Sequence, residues 1–362
     1  MWTQKATELL SSLIRQVSFS REESLTGDLI QGFLEKNKVL VHRHLNNIWA
    51  VNKYFDPRKP SLLLNSHHDT VRPNAGYTRD PFDPVIEEGK LFGLGSNDAG
   101  GCLVSLLAAF LHFYGKESLA YNLVVAATAE EEISGHNGVE ALLGSTEFQQ
   151  SLKGSTIDAA IVGEPTLMQM AVAERGLMVL DATAYGKAGH AAREEGENAL
   201  YKAMADIAWL RSYRFERLSE FLGPVKMDVT VIETLNKAHN VVPDTCNFVV
   251  DVRINECYTF EEVLQEISAH TKSRFQPRSS RLRSSMIPLD HPLVRVGVEL
   301  GLSWYGSPTT SDKALMPFPA LKMGPGDSAR SHAADEFIYL KELDHGIALY
   351  IKMLGTLLQP PL

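Results

Sequence analysis

Cysteine is scarce, with only Cys102, Cys246 and Cys257 in a chain of 362 residues. They sit in unrelated contexts without metal-type spacing, so they cannot form a disulfide framework and read as free, mostly packed thiols in a reducing compartment. Basic charge is also short. Lys and Arg number 35 against 44 Asp and Glu, a formal net charge of −9, which disfavours nucleic acid as a partner because phosphate binding needs clustered cations. No apolar run is long enough to span a bilayer, and the longest, Cys102 to Phe113, reads as a buried helix. The first residues lack the basic-then-apolar layout of a signal peptide. Instead, Leu9, Leu10, Leu13, Ile14 and Val17 fall at helical spacing. There is no internal repeat and no low-complexity linker, with Gln276–Ser280 the most linker-like stretch. These absences predict a cytoplasmic globular protein with neither nucleic acid nor membrane as partner.

Its length exceeds what one hydrophobic core usually supports, so two domains are expected. Strand-like and helix-like runs alternate through the first 170 residues or so, the texture of a mostly parallel sheet flanked by helices. The pattern then changes. Strands are predicted at 175–185, 225–233 and 246–254, helices at 198–212 and 260–272, and a last strand within 281–288. That order is the split βαββαβ, ferredoxin-like arrangement. A helix at 292–302, a strand at 319–324 and a long helix at 340–358 follow. The fold class expected is therefore α/β, with a discontinuous catalytic domain (1–170 and 288–362) and an inserted domain (171–287).

Histidines and carboxylates fall at telling places. His67 and Asp69 follow the apolar run 61–66, Glu131 and Glu132 follow 122–128, Glu164 follows 157–163, and His332 lies beyond 319–324. In an open α/β sheet, ligands bind beyond the carboxyl ends of the strands. Four strands delivering such groups to one edge predict a metal site, and with it a metallohydrolase. Zinc accepts His nitrogen and carboxylate oxygen, and two metals need a bridging carboxylate and together clamp a hydrolytic water. His67 and Asp69 alternate, so on extended chain Asp69 would fix the His67 tautomer. Glu131 and Glu132 diverge, so one can bind metal while the other reaches a water as general base. Each signal alone has a bland reading: a His-x-Asp surface hydrogen bond, acids at a helix start, a Glu-Pro turn. Their repetition at strand ends outweighs these. His68 reads as a neighbour of the site rather than a ligand, and His136 as part of a turn. Arg253 suits either a substrate carboxylate or an ion pair on its own sheet. Asn240 could donate to substrate, and Gly324 and Gly326 would let loop backbone approach it closely. Ser311-Asp312 reads first as a helix cap.

The pieces Ser66–Val71, Gly93–Gly101, Thr128–Glu132, Gly163–Thr166, Gly189-His190, Asn240–Pro243 and Gly324–Glu336 together resemble the dinuclear zinc aminoacylase/carboxypeptidase family. The resemblance spans almost the whole chain in order. It implies one zinc (cobalt possible) on His67 and Glu164, a second on Glu132 and His332, and Asp98 bridging. Glu131 would be the general base and Asp69 would orient His67. The Asp98–Ala99 peptide would be cis. The inserted domain would be a lid that also makes a homodimer, and its His190 would polarise the scissile carbonyl.

The resemblance further implies removal of an acyl group from a small amino acid. Acetylornithine deacetylase, or a variant acting on N-acyl-citrulline or N-acyl-ornithine in arginine biosynthesis, is the leading expectation. A zinc dipeptidase and a succinyl-diaminopimelate desuccinylase are alternatives, and a non-catalytic binding protein of this fold is a third class. Three departures from the family pattern stand out: Ala99-Gly100-Gly101 for Met-Lys-Gly-Gly, Glu130 for Asp, and Ala191–Glu194 after His190. Arg193 there would suit either a charged acyl group such as succinyl or an ion pair with Glu194 or Glu195.

Overall fold

A computed structural model describes residues 2–193 and 195–359. The chain divides into two compact units. The larger comprises Met1–Val172, Met286–Tyr305 and Ser311–Leu362, and the second comprises Ala173–Ser285 with Gly306–Thr310. The Gly306–Thr310 excursion is one that the sequence reading did not include.

In the larger unit four strands run parallel in the order Asn122–Thr128, Ser61–His67, Ala159–Val162, Ala320–Lys322. Asn47–Val51 lies antiparallel along one side of this core, and Lys322 pairs antiparallel with Ala171 on the other. The first three of these parallel strands are buried at every residue, as continuous apolar runs rich in Leu, Val, Ile and Ala require in a sheet covered on both faces. The Gly101–Phe113 helix is apolar nearly all round and correspondingly buried. It packs against the helices Trp2–Ile14 and Leu340–Leu357. The latter two bury only one face. No helix among the described residues is long and apolar enough to cross a membrane.

The second unit holds a four-stranded antiparallel sheet in the order Lys226–Glu233, Thr245–Ile254, Gly176–Tyr185, Arg274–Pro277. Helices Ala199–Ser212 and Phe260–His270 complete the βαββαβ order. Alternation along Thr245–Ile254 buries Cys246, Phe248, Val250, Val252 and Ile254 on one face. The fourth strand differs from expectation. It is Arg274–Pro277, running into the linker-like stretch Gln276–Ser280, whereas Ser285–Met286 is a two-residue strand of the other sheet. Pro277 masked it, because proline is tolerated on an edge strand but argues against a strand in sequence. Cys102 and Cys246 are buried and Cys257 half-buried, all as free thiols.

Candidate metal centre

The parallel strands point their carboxyl ends at one place. His67 is the last residue of its strand and is buried. Its Nδ1 lies 3.0 Å from the Asp69 carbonyl oxygen and 3.4 Å from the Asp69 carboxylate. That side of the ring is placed to donate, which makes Nε2 the nitrogen available to a metal once the ring is neutral. Nε2 faces Asp98 Oδ1 at 3.3 Å, Glu164 Oε1 at 3.8 Å and Glu131 Oε2 at 3.9 Å.

Asp98 faces a different histidine with each oxygen. Its Oδ1 looks at His67, while its Oδ2 lies 3.8 Å from His332 Nε2. His332 Nε2 is also 3.0 Å from Glu132 Oε2. This is the disposition a bridging carboxylate needs, one oxygen towards each of two cation positions. The Asp98–Ala99 peptide is cis, as the resemblance implied. Ligand atoms of His67, Glu131 and Glu164 converge within 4.8 Å of one another, and so do those of His67, Asp98 and Glu132. The first triad includes Glu131, which the sequence reading had kept out of the ligand set.

The electrostatics carry the same message. Burial, then repulsion from Glu164, Asp312 and Glu132, raises the Glu131 carboxyl well above the usual range despite the opposing pull of His67. Burial pushes Glu164 up to about 8. His332 is pushed up to about 9, chiefly by its hydrogen bond to Glu132. Burial opposes charge on His67, yet the surrounding carboxylates outweigh it and raise its pKa well above the usual value. Asp98, Glu131, Glu132 and Glu164 lie close together, Glu164 buried and the other three half-buried. Ionising all four together is costly unless a cation compensates, and a His/carboxylate donor set suits zinc. The residues fit two metal ions.

The supports were less visible in the sequence. Asp69 Oδ1 accepts from the Glu131 backbone N–H at 3.1 Å. Its Oδ2 accepts from the Glu132 N–H at 3.2 Å and the Ser20 hydroxyl at 2.6 Å. Asp69 therefore fixes the turn of the paired glutamates as well as His67. Glu336 accepts from the N–H groups of Gly95, Asn97 and Asp98, which steadies the loop under the bridging carboxylate. Asp312 is a buried carboxylate taking hydrogen bonds from Asn65 and Thr128 at 2.9 and 2.7 Å, beside the ends of two parallel strands. Ser311 caps the short turn that follows, as expected, but Asp312 does not serve as a cap. His68 is buried between Thr26 and the Asn46 carbonyl, and burial pushes it down to about 4. It is a neutral neighbour of the site.

Gly324 and Gly326 approach other protein groups closely. A Cβ on Gly324 would meet Cys102 Sγ and the Glu164 carbonyl oxygen at 2.6 Å. Gly326 has φ +91°, and its Cβ would meet Asn97 Oδ1 at 2.5 Å. The other three residues singled out belong to the second unit. His190 is exposed on a two-residue strand paired with Val241–Val242. The Asn240 carbonyl accepts from Ala191 N–H at 3.0 Å, and Arg193 N–H closes a turn onto the His190 carbonyl. The Arg253 guanidinium is engaged twice by Asp251 on its own strand, at 2.7 and 3.0 Å.

Comparison with known proteins adds the lineage. The model of Peptidase family M20/M25/M40 matches residues 63–356. Succinyl-diaminopimelate desuccinylase 2 of Ruegeria sp. (strain TM1040) is 27% identical over 285 residues, covering 74% of this chain and 69% of that protein. Succinyl-diaminopimelate desuccinylase of Wolbachia pipientis subsp. Culex pipiens (strain wPip) is 24% identical, covering 98% and 89%. Among solved structures, aminopeptidase PepT from Bacillus cereus ATCC 10987 superposes with a TM-score of 0.75 at 16% identity, over 98% of each chain.

Proposed function

The chain belongs to Peptidase family M20/M25/M40, a metal-dependent hydrolase acting on amide bonds, and from that premise we propose that it removes a succinyl group from the amine of a small amino acid. The observation that carries the hydrolytic part is Asp98 set between His67 and His332 with Glu131 beside them. The desuccinylase names of the relatives above support succinyl. They favour it over the acetylornithine deacetylase first expected from the sequence.

In this reading His67 and Glu164 would hold one zinc, Glu132 and His332 the other, and Asp98 would serve both. Bound there, the two ions would supply Lewis acidity towards the scissile carbonyl and lower the pKa of a water. The chain's own part is proton handling and orientation. Glu131 accepts a proton from the attacking water as its oxygen bonds to the carbonyl carbon. When the C–N bond breaks, Glu131 returns that proton to the departing nitrogen, so that succinate and a free amine result. Asp69 keeps the His67 lone pair aimed inward and holds the Glu131 backbone in place. His190 retains the part implied by the resemblance, donation to the carbonyl oxygen, and a homodimer through the second unit belongs to the same proposal.

The test is amine release by zinc-reconstituted protein from a matched panel. It contains N-succinyl-diaminopimelate, the N-succinyl and N-acetyl forms of ornithine and citrulline, and two dipeptides. Preference for succinyl substrates supports the proposal. Turnover of acetylornithine alone restores the first expectation, and turnover of dipeptides alone makes the protein a peptidase.

A further inference from the structure

Four consecutive backbone N–H groups lead into and through the base-bearing turn, and each donates to a side chain from elsewhere in the chain. Ala129 N–H reaches Asn47 Oδ1 at 3.1 Å and Glu130 N–H reaches Glu23 Oε1 at 3.2 Å. Glu131 and Glu132 use the two oxygens of Asp69. The turn has little regular structure of its own. Glu130 sits at φ 55° and Ser134 at φ 47°, with only three residues of tight helix between them. Ser134 and Gly135 close it with N–H bonds to the carbonyls of Glu131 and Glu130, both at 2.8 Å, and the acceptors from elsewhere fix its first half.

Glu23 is the unexpected one. It occupies the position before the Ser24–Lys36 helix, where a short side chain would normally cap the first N–H groups, yet it makes no capping bond. Its carboxylate turns inward and is completely buried. Burying a carboxylate is costly unless its lone pairs are filled. Here Oε1 accepts from Arg21 N–H at 2.5 Å as well as from Glu130, and Oε2 accepts from Asn46 Nδ2 at 2.9 Å. Glu130 in turn spends its own carboxylate on Asn137, through both backbone and side-chain donors. The side chain before the base is therefore held by Asn137 while its N–H is held by Glu23, and Glu130 is buried.

We infer that Glu23 is a positioning residue for Glu131. Its carboxylate holds the Glu130 peptide so that the next side chain projects at the metal ligands. The inference rests on the reading of Glu131 as proton carrier. A displacement of about 1 Å in a reacting group can cost on the order of a hundredfold in rate, and loss of this acceptor leaves a buried N–H free to pull the turn away.

The experiment compares Glu23→Ala and Glu23→Gln with wild type, by steady-state kinetics on the best panel substrate and by hydrogen exchange on the metal-free full chain. In Glu23→Ala, exchange in peptides spanning 128–134 should accelerate roughly tenfold or more while the Gly101–Phe113 helix is unmoved. The value of kcat should fall roughly ten- to a hundredfold with KM within about twofold. Glu23→Gln keeps an acceptor oxygen for Glu130 and should recover most of both. Unchanged exchange at the turn, acceleration shared equally by the Gly101–Phe113 helix, or a kcat that holds despite a loosened turn each overturns the inference. A wild-type chain inert on every panel substrate sinks the deacylase reading alone, and exchange at the turn still decides whether Glu23 holds it.

Discussion

Removing metal should make the larger unit lose stability as pH rises from about 6 to about 8. In the metal-free chain Glu164 is pushed from 4.5 up to about 8, first by burial and then by Asp98 and Glu132, against the opposing pull of Lys322 and His67. A native pKa above the unfolded one means that the folded chain keeps a proton which the unfolded chain has already released. That contribution is complete below the unfolded value and disappears as pH climbs through the folded value. Each pH unit inside the window is worth about 1.4 kcal/mol, so this span removes roughly 2 kcal/mol from this one group. For a unit of this size the melting midpoint should drop by roughly 5 °C. His332, raised to about 9, acts in the same direction at slightly higher pH, and the raised Glu131 and Glu132 add to it. With zinc bound, the cation holds the carboxylates ionised and the slope should flatten. Calorimetry of chelated and zinc-reconstituted protein across this range is the assay. A chelated midpoint that stays level or rises, or an equal slope in the loaded protein, would refute the reasoning.

Two further outcomes are expected. Glu131→Gln should retain both metals by elemental analysis while kcat falls by roughly 10² to 10⁴, since proton transfer is the step removed. Gly324→Ala should cost about 1–3 kcal/mol in urea unfolding, because the new methyl collides with Cys102 and with the backbone of Glu164, and an unshifted midpoint would show that the packing there gives way freely.

Much of the site was legible because strands announce themselves. Buried parallel strands read as unbroken apolar runs, and histidines and carboxylates at the ends of several such runs outweigh the bland reading that each has alone. His67, Asp98, Glu131, Glu132, Glu164 and His332 were all placed this way or through the motifs around them. Glu23, Asp312 and Glu336 were not seen as supports. A carboxylate that accepts backbone N–H bonds from a distant segment has no local signature, and Glu23 looks like any acid at a helix start. Arg253 was undecidable in sequence because Asp251, two residues away on the same strand face, is itself a competent partner. The Arg274–Pro277 strand was hidden by its proline and by its short length, since an edge needs no continuous apolar pattern.

The interleaving of the parallel strands has a consequence for biosynthesis. The strand ending in His67 lies between those leading to Glu131 and to Glu164, while the one preceding His332 enters the sheet last, after the entire second unit has been made. A nascent chain therefore carries all three of its proposed acidic ligands, Asp98, Glu132 and Glu164, long before it can present the final histidine. Until that last strand docks, the site proposed above lacks its second histidine. A chain cut before Ala320 should therefore keep the acidic ligands yet lose both the last parallel strand and His332, so weakened zinc retention after limited proteolysis would report on whether this segment is still in place.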